Sequence, residues 1–416
     1  MTADANVIIG GGQAAARAAQ SMRQCGFEGP ITLFSEEVHL PYERPPLTKE
    51  YFLQGAEAGF KPILSRDFYE EKGIELRVGV RIESIEHAAH RIVAHDGAVI
   101  PYGRLLLATG GRLRRLGLEG QDKPNVYYVR TVDDSAALAR RLAPGGRVLI
   151  VGGGFIGLEI AAAAQQRGCK VYVVEASPQI LGRVAPAVVA SYVAECHALH
   201  GIEIRTGLYP VALLGDETVS AVALSDGETL DIDAMVVGIG VIPRTELAEQ
   251  AGLAIDNGIL VDEFCATSHP SIFAAGDVAN QYNPIVKCRL RQESWQNAQD
   301  QGVIAGSAMA GQPKENSSIP WAWSTQFDLN LQVAGIRLPN DDVIVRGDPA
   351  SGCFTAFSLA DGYIRGAVTV NRARELTLIN RLLLLGEPVD VAALADETVS
   401  LREILQAATS AGALQL

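Results

Sequence analysis

The fold class predicted for this chain is α/β, with two strand–turn–helix domains and a smaller C-terminal α+β domain, and three observations predict it. First, an apolar strand runs into a glycine-rich turn and then a helix twice, as Val7-Ile8-Ile9-Gly10-Gly11-Gly12-Gln13-Ala14-Ala15 and as Val148-Leu149-Ile150-Val151-Gly152-Gly153-Gly154-Phe155-Ile156-Gly157. Second, an acid closes the next apolar strand in each copy, about 20 residues on or slightly more. These acids are Glu36 after Ile31-Thr32-Leu33-Phe34 and Glu175 after Val171-Tyr172-Val173-Val174. Third, the texture changes near Ile319 to alternating strand-like segments. In such a turn the missing Cβ atoms let a pyrophosphate approach the N–H groups at the helix start, and the acid is placed for ribose hydroxyls. Two Rossmann-like dinucleotide-binding domains are therefore expected.

Taken in order, the first unit runs from Val7 to about Gly111, with a helix near Ala14 to Cys25 and a polar, Pro-rich connection after Glu36. It closes on Arg104-Leu105-Leu106-Leu107-Ala108-Thr109-Gly110-Gly111, a buried strand leaving through Thr109 and Gly110 so that the backbone can bend past a ligand. Between about Arg112 and Gly240 the order repeats, with a helix from Gly157 to Arg167 and a late strand Ala234-Met235-Val236-Val237-Gly238-Ile239-Gly240. Ser271 to Ala279 reads as a strand into Gly276-Asp277 and then a helix, which leaves Asp277 either an acceptor for sugar hydroxyls or an N-terminal helix cap. The last segment carries Trp321 and Trp323, strands near Leu331–Gly335 and Gly366–Val370, and a helix from about Arg374 to Leu385.

The chain has 416 residues, 48% hydrophobic and 20% charged, a length that implies two or three domains. Its mean hydropathy of +0.14 comes from dispersed Ala, Val, Ile and Leu. No apolar run approaches the roughly 18 residues a membrane helix needs, and no basic region of a signal peptide precedes the first strand. Six cysteines lie far apart, with no C-x-x-C or C-x-x-x-x-C pair, a usage that fits small buried residues in a reducing cytoplasm. A net charge of −13 argues against nucleic acid as a partner.

The segment Pro41-Tyr42-Glu43-Arg44-Pro45-Pro46-Leu47-Thr48-Lys49 resembles the PY-[DE]-RPPL-[ST]-K stretch of the FAD-dependent, NADH-using ferredoxin reductases of bacterial oxygenase systems. Ala108-Thr109-Gly110, Gly152 to Glu159, Ala275-Gly276-Asp277, Glu293-Ser294-Trp295 and Pro320-Trp321-Ala322-Trp323-Ser324 add to the resemblance, which covers essentially the whole chain. The architecture it implies is glutathione-reductase-like. A discontinuous FAD-binding domain spans 1–111 and 241–318, an NAD-binding domain 112–240, and the C-terminal domain 319–416.

By that similarity the FAD contacts are Gly10, Gly12, Ala14, Glu36, Arg44, Lys49, Ile82, Thr109, Gly110, Arg130, Asp277 and Trp295. The NAD contacts are Gly152, Gly154, Phe155, Ile156, Gly157, Glu159, Glu175, Arg183, Gly238, Ile239 and Gly240. Glu175 favours NADH over NADPH, because a carboxylate accepts from a free 2′ hydroxyl and repels a phosphate there; Arg183 leaves some tolerance for NADPH. Lys49 and Glu159 are the candidate catalytic pair, holding nicotinamide against the flavin. Read without the family, Lys49 and Arg44 make a solvated basic turn, and Glu159 is equally a first-turn acid favoured by the helix dipole.

The function implied is hydride transfer from NADH to FAD, then single-electron steps to a two-iron two-sulfur ferredoxin serving a Rieske dioxygenase or a cytochrome-type monooxygenase. Because both partners are acidic, docking calls for a local basic patch, with Arg289 and Arg291 beside the flavin segment and Arg372, Arg374 and Arg381 in the last domain as its candidates, together with Trp321 and Trp323. Each arginine is equally a solvated surface charge, and the two indoles are equally one buried and one edge-capping core residue. A monomer or weak dimer is expected, and no metal site. The competing readings are an NADH oxidase, a rubredoxin reductase or another NADH:acceptor flavoenzyme on the same fold, or a flavin redox sensor.

Overall fold

Fully buried Ile8, Leu33 and Leu106 sit side by side on three parallel strands, because a parallel sheet covered on both faces admits only continuous apolar runs. The computed structural model describes residues 5–54 and 60–413. Its chain divides into two units, one of 1–43, 60–112 and 241–318, the other of 44–59, 113–240 and 319–416.

In the first unit the five-stranded parallel sheet has the order Ile272–Ala274, Arg104–Leu107, Asn6–Ile9, Ile31–Ser35, Ile74–Val78. The helix Gln13–Gln24 leaves the first glycine turn and packs against Trp295–Met309. Their approach requires glycine: a Cβ on Gly302 would lie 2.5 Å from the Ala14 carbonyl oxygen, and one on Gly306 2.4 Å from that of Ala18. A three-stranded antiparallel meander, Ile82–Glu86, Arg91–Ala94 and Val99–Pro101, covers one side.

The second unit repeats this plan. Its parallel sheet has the order Glu203–Thr206, Lys170–Glu175, Arg147–Val151, Ala234–Val237, Val126–Tyr127. It too has a meander, Pro210–Leu214, Ala221–Leu224 and Thr229–Asp231, so the duplication extends beyond the glycine turns that advertise it in the sequence.

The same unit contains the five-stranded antiparallel sheet of the C-terminal segment, ordered Trp321–Gln326, Leu329–Gly335, Tyr363–Val370, Cys353–Ala360, Asp342–Asp348. Its strands alternate. Phe354 and Ala356 face a core shared with Leu158, Val189 and Val193, while Phe357 and Leu359 face the helices Leu376–Leu385 and Leu401–Ala413. A shared core explains why the C-terminal segment groups with residues 113–240. Residues 44–54 join them through Ser135 Oγ, which donates to the Leu47 carbonyl at 2.6 Å, and Arg167, which donates to the Phe52 carbonyl at 3.0 Å.

One expected element differs. No helix follows Asp277; Ala279–Asn283 is a strand, pairing in parallel with Ile259–Val261. The pairing register Ile259 with Ala279 overrides the helical look of Asp-Val-Ala, and it removes the helix-cap reading of Asp277.

His197 is fully buried on helix Ala187–Leu199, with Nδ1 3.0 Å from the Val193 carbonyl and Nε2 3.4 Å from that of Leu158. Burial holds its pKa below the ordinary value, since the cation would be desolvated. Unfolding therefore takes up a proton in acid, so stability present above about pH 6.5 is lost as pH falls below it. In His197→Gln the unfolding free energy, measured by denaturant titration, should lose part of its decline between neutral pH and pH 5. Separately, Gly302→Ala should destabilise the first unit by about 1–3 kcal/mol, read as a lowered thermal midpoint.

Candidate functional site

In each glycine turn one glycine is left open while its neighbours are held tight. In the first turn a Cβ on Gly10, whose φ is +136°, would lie 2.1 Å from the Ala108 carbonyl oxygen, and one on Gly11 2.1 Å from Ser35 Oγ, whereas Gly12 has nothing within 4 Å. In the second, a Cβ on Gly152 would lie 2.3 Å from the Gly238 carbonyl oxygen, one on Gly153 2.6 Å from Ile180 Cγ2 and one on Gly157, in the helix that follows, 2.0 Å from the Gly152 carbonyl oxygen, whereas Gly154 has nothing within 4 Å. Gly12 and Gly154 each precede a helix, and neither supplies a side-chain cap, so the first N–H groups are directed outward at the positive end of the dipole. Exposed Ile156 stands beside Gly154. Both turns fit a pyrophosphate.

The two acids differ in how they are held. Glu175 accepts from the Gly153 N–H at 2.7 Å and the Ser177 N–H at 2.8 Å, which fixes its carboxylate beside the turn. Glu36, about half exposed, pairs instead with Arg244 Nη1 at 2.7 Å. Arg244 is in turn fixed through its backbone, its N–H donating to the Gly110 carbonyl and its own carbonyl accepting from Thr109 Oγ1. Arg183 is exposed, and Gly238, Ile239 and Gly240 follow the strand Ala234–Val237 beneath the second turn.

In the first unit, Gly276 and Asp277 are clamped from two sides. The Gly276 N–H donates to buried Gln301 Oε1 at 2.8 Å, and Arg291 Nη1 donates to the Asp277 carbonyl at 3.1 Å. Ala14 packs below Gly276, and Trp295 opens the helix that carries Gln301. Ile82 is 6% exposed and belongs to the core, which leaves its backbone rather than its side chain for any ligand.

The second unit holds the charged centre. Lys49 Nζ lies 3.0 Å from Glu159 Oε1, with side chains 16% and 4% exposed. Thr48 Oγ1 donates to Glu159 Oε2 at 2.5 Å and Ser324 Oγ donates to Oε1 at 2.6 Å. Three donors thus replace the water that burial removes from this carboxylate. The Trp323 ring lies 5.8 Å from the Lys49 ammonium and stacks on Trp321 at 5.0 Å, both indoles half-buried on one face of their strand rather than divided between core and edge. Trp321 Nε1 donates to Gln332 at 3.0 Å. Arg44 Nη1 donates to the Arg130 carbonyl at 2.5 Å, so these two predicted residues also meet.

Lys49 and Glu159, read from segments far apart in the chain, are thus one ion pair. Thr48 and Ser324 stand in the motifs that carry the resemblance but had no assigned role. Gln301, Arg244 and Gln326 carried no local signal, being polar residues in ordinary helix, loop and strand contexts. Of the expected docking arginines, Arg291 pairs with Glu293 and Arg372 with Glu375 and Glu397, and Arg289 donates to the Val261 and Asn280 carbonyls. Arg374 and Arg381 are exposed.

Residues 5–302 match the family described as pyridine nucleotide-disulphide oxidoreductase, and residues 321–405 the one described as reductase C-terminal. The chain is 41% identical to the ferredoxin–NAD(+) reductase component of the anthranilate 1,2-dioxygenase system of Burkholderia cepacia, over 97% of this chain and 100% of that one. Among solved structures, the covalent putidaredoxin reductase–putidaredoxin complex matches with TM-score 0.94 and 34% identity, over 98% of this chain and 99% of that one. The ferredoxin reductase for the CYP199A2 system from Rhodopseudomonas palustris matches with TM-score 0.93 and 37% identity, over 97% and 100%. Among the described residues no helix is long and apolar enough to cross a membrane, and no group of side chains is arranged to hold a metal ion.

Removing Lys49 strands a buried carboxylate. Lys49→Met should cost the second unit about 3–5 kcal/mol, and Lys49→Met/Glu159→Gln should recover part of that. Denaturant unfolding followed by tryptophan fluorescence checks this, since Trp321 and Trp323, two of the three tryptophans, lie in this unit.

Proposed function

We propose that this chain, which belongs to the pyridine nucleotide-disulphide oxidoreductase family, is an FAD-dependent reductase carrying electrons from NADH to a two-iron two-sulfur ferredoxin that serves an oxygenase. The observation that carries this reading is the end-to-end likeness to a ferredoxin–NAD(+) reductase component, over 97% of the chain. The cysteines agree with it. None of the six forms a disulfide and none lies in a C-x-x-x-x-C pair, so a dithiol relay has no residues to run on.

In this reading FAD is held by the residues the resemblance implies, Gly10, Gly12, Ala14, Glu36, Arg44, Lys49, Ile82, Thr109, Gly110, Arg130, Asp277 and Trp295. When bound, FAD converts a two-electron donor into a one-electron source. The chain's own part is binding and charge. The second turn offers N–H groups at Gly154 and Phe155 to the pyrophosphate of NADH, and Glu175 accepts from the adenosine ribose. A 2′-phosphate there would meet a carboxylate already held in place, which sets the preference for NADH.

Lys49 supplies a fixed cation for negative charge that develops during reduction. Its counter-ion Glu159 is 4% exposed, against 16% for Lys49, so in this reading the ammonium is the group a ligand reaches and Glu159 acts through it. For ferredoxin docking, Arg291 and Arg372 already have acidic partners, which favours exposed Arg374 and Arg381 as the cationic contacts.

Turnover of the flavin-loaded protein with NADH and cytochrome c should rise steeply on adding a two-iron ferredoxin and be far slower with NADPH. Glu175→Ala should narrow the NADH preference by about tenfold, the loss of one charge-assisted hydrogen bond. NADH consumption equally fast with oxygen or a quinone alone would overturn the ferredoxin assignment and favour an oxidase.

A further inference from the structure

Resting on that reading, we propose that Ser324 and Gln326 are positioning residues for reduction by NADH, setting Lys49 through Glu159. Ser324 is fully buried, and its Oγ has two neighbours: Glu159 Oε1 at 2.6 Å and Gln326 Nε2 at 2.9 Å. An amide nitrogen only donates, so the Ser324 hydroxyl accepts there and its single proton is committed to Glu159. With the Gln326 amide reversed, two acceptors would compete for that one proton. The direction of the chain from Gln326 to Ser324 to Glu159 is therefore set by hydrogen-bond chemistry.

Glu159 Oε1 receives both Ser324 and the Lys49 ammonium, while Oε2 receives Thr48. Thr48 and Lys49 are adjacent in the chain, so both come from one segment. Ser324 is the donor from elsewhere, so without it the carboxylate can pivot about Thr48 and take the ammonium with it. The residue next to Ser324, Trp323, places its ring 5.8 Å from the same ammonium. Through this strand the C-terminal segment decides where the Lys49 charge sits, and a displacement of about 1 Å at such a group is enough to slow chemistry strongly.

The test is rapid mixing of the flavin-loaded protein with NADH for wild type, Ser324→Ala, Ser324→Thr and the isosteric Gln326→Glu. In Gln326→Glu a carboxylate replaces the amide donor and draws the Ser324 proton away from Glu159. Ser324→Ala and Gln326→Glu should each lower the limiting rate of flavin reduction by about tenfold with little change in the NADH concentration for half-maximal rate, the mark of lost transition-state positioning. Ser324→Thr, which keeps the hydroxyl, should restore the rate. The midpoint potential of the bound flavin should fall in the two slow variants, because a displaced cation stabilises the added negative charge less.

A wild-type limiting rate and potential in both Ser324→Ala and Gln326→Glu, with only thermal stability lowered, would overturn the inference while leaving the proposed function standing. A higher half-maximal NADH concentration at unchanged limiting rate would overturn it too, by assigning Ser324 to uniform binding. If Ser324→Ala yields no folded protein, the isosteric Gln326→Glu decides. Wild-type protein that NADH fails to reduce would overturn the proposed function and this inference with it.

Discussion

Burying a carboxylate at Glu159 obliges distant stretches of chain to meet. An ion at 4% exposure is tolerable only when its lone pairs are taken up, and the donors come from Thr48 and Lys49, 111 and 110 residues upstream by their numbers, and from Ser324, 165 downstream. Nothing local to the helix Phe155–Gln166 supplies them. The turn at Pro45–Thr48 and the strand Trp321–Gln326 therefore belong with residues 113–240, and the shared core around Leu158 and Phe354 follows the same boundary.

Close backbone packing is the second constraint, and it operates identically in both units. Glycine is needed at Gly10 and Gly152 because a carbonyl of a neighbouring strand end already occupies the Cβ position, and at Gly157 and Gly302 because backbone approaches backbone. The open glycines, Gly12 and Gly154, are the complement: they leave outward N–H groups accessible. Tight glycines set beside an open one thus fix each turn while leaving its helix-start N–H groups exposed, and in the second turn Glu175 holds the Gly153 N–H as well.

Much of this was legible in the chain. The two parallel sheets follow from continuous apolar runs such as Val148–Val151, and the C-terminal strands from alternation at Leu331–Gly335 and Gly366–Val370, which pair with Leu331 opposite Val370 and Gly335 opposite Gly366. Period-2 and glycine signals are local, so one stretch of sequence carries them. The strand after Asp277 was not legible, because its evidence is a partner, Ile259–Val261, outside the window in which Asp-Val-Ala looks helical. The second meander escaped for the same reason: its short strands are weak alone and stable only when paired.

What the sequence determined by itself is the inventory: two glycine turns with their acids Glu36 and Glu175, a basic Pro-rich segment ending in Lys49, a Trp-rich strand, and no cysteine pair. What only the tertiary structure decided is which of these groups act on each other. Lys49 met Glu159 rather than solvent, Glu36 met Arg244, Arg291 and Arg372 met acids instead of lying free for a partner, and Ser324 met a carboxylate. The physical reason is that a hydrogen bond or ion pair depends on distance and burial, and both are properties of the packed chain, whereas turn and strand preferences are written into the backbone chemistry of a few consecutive residues.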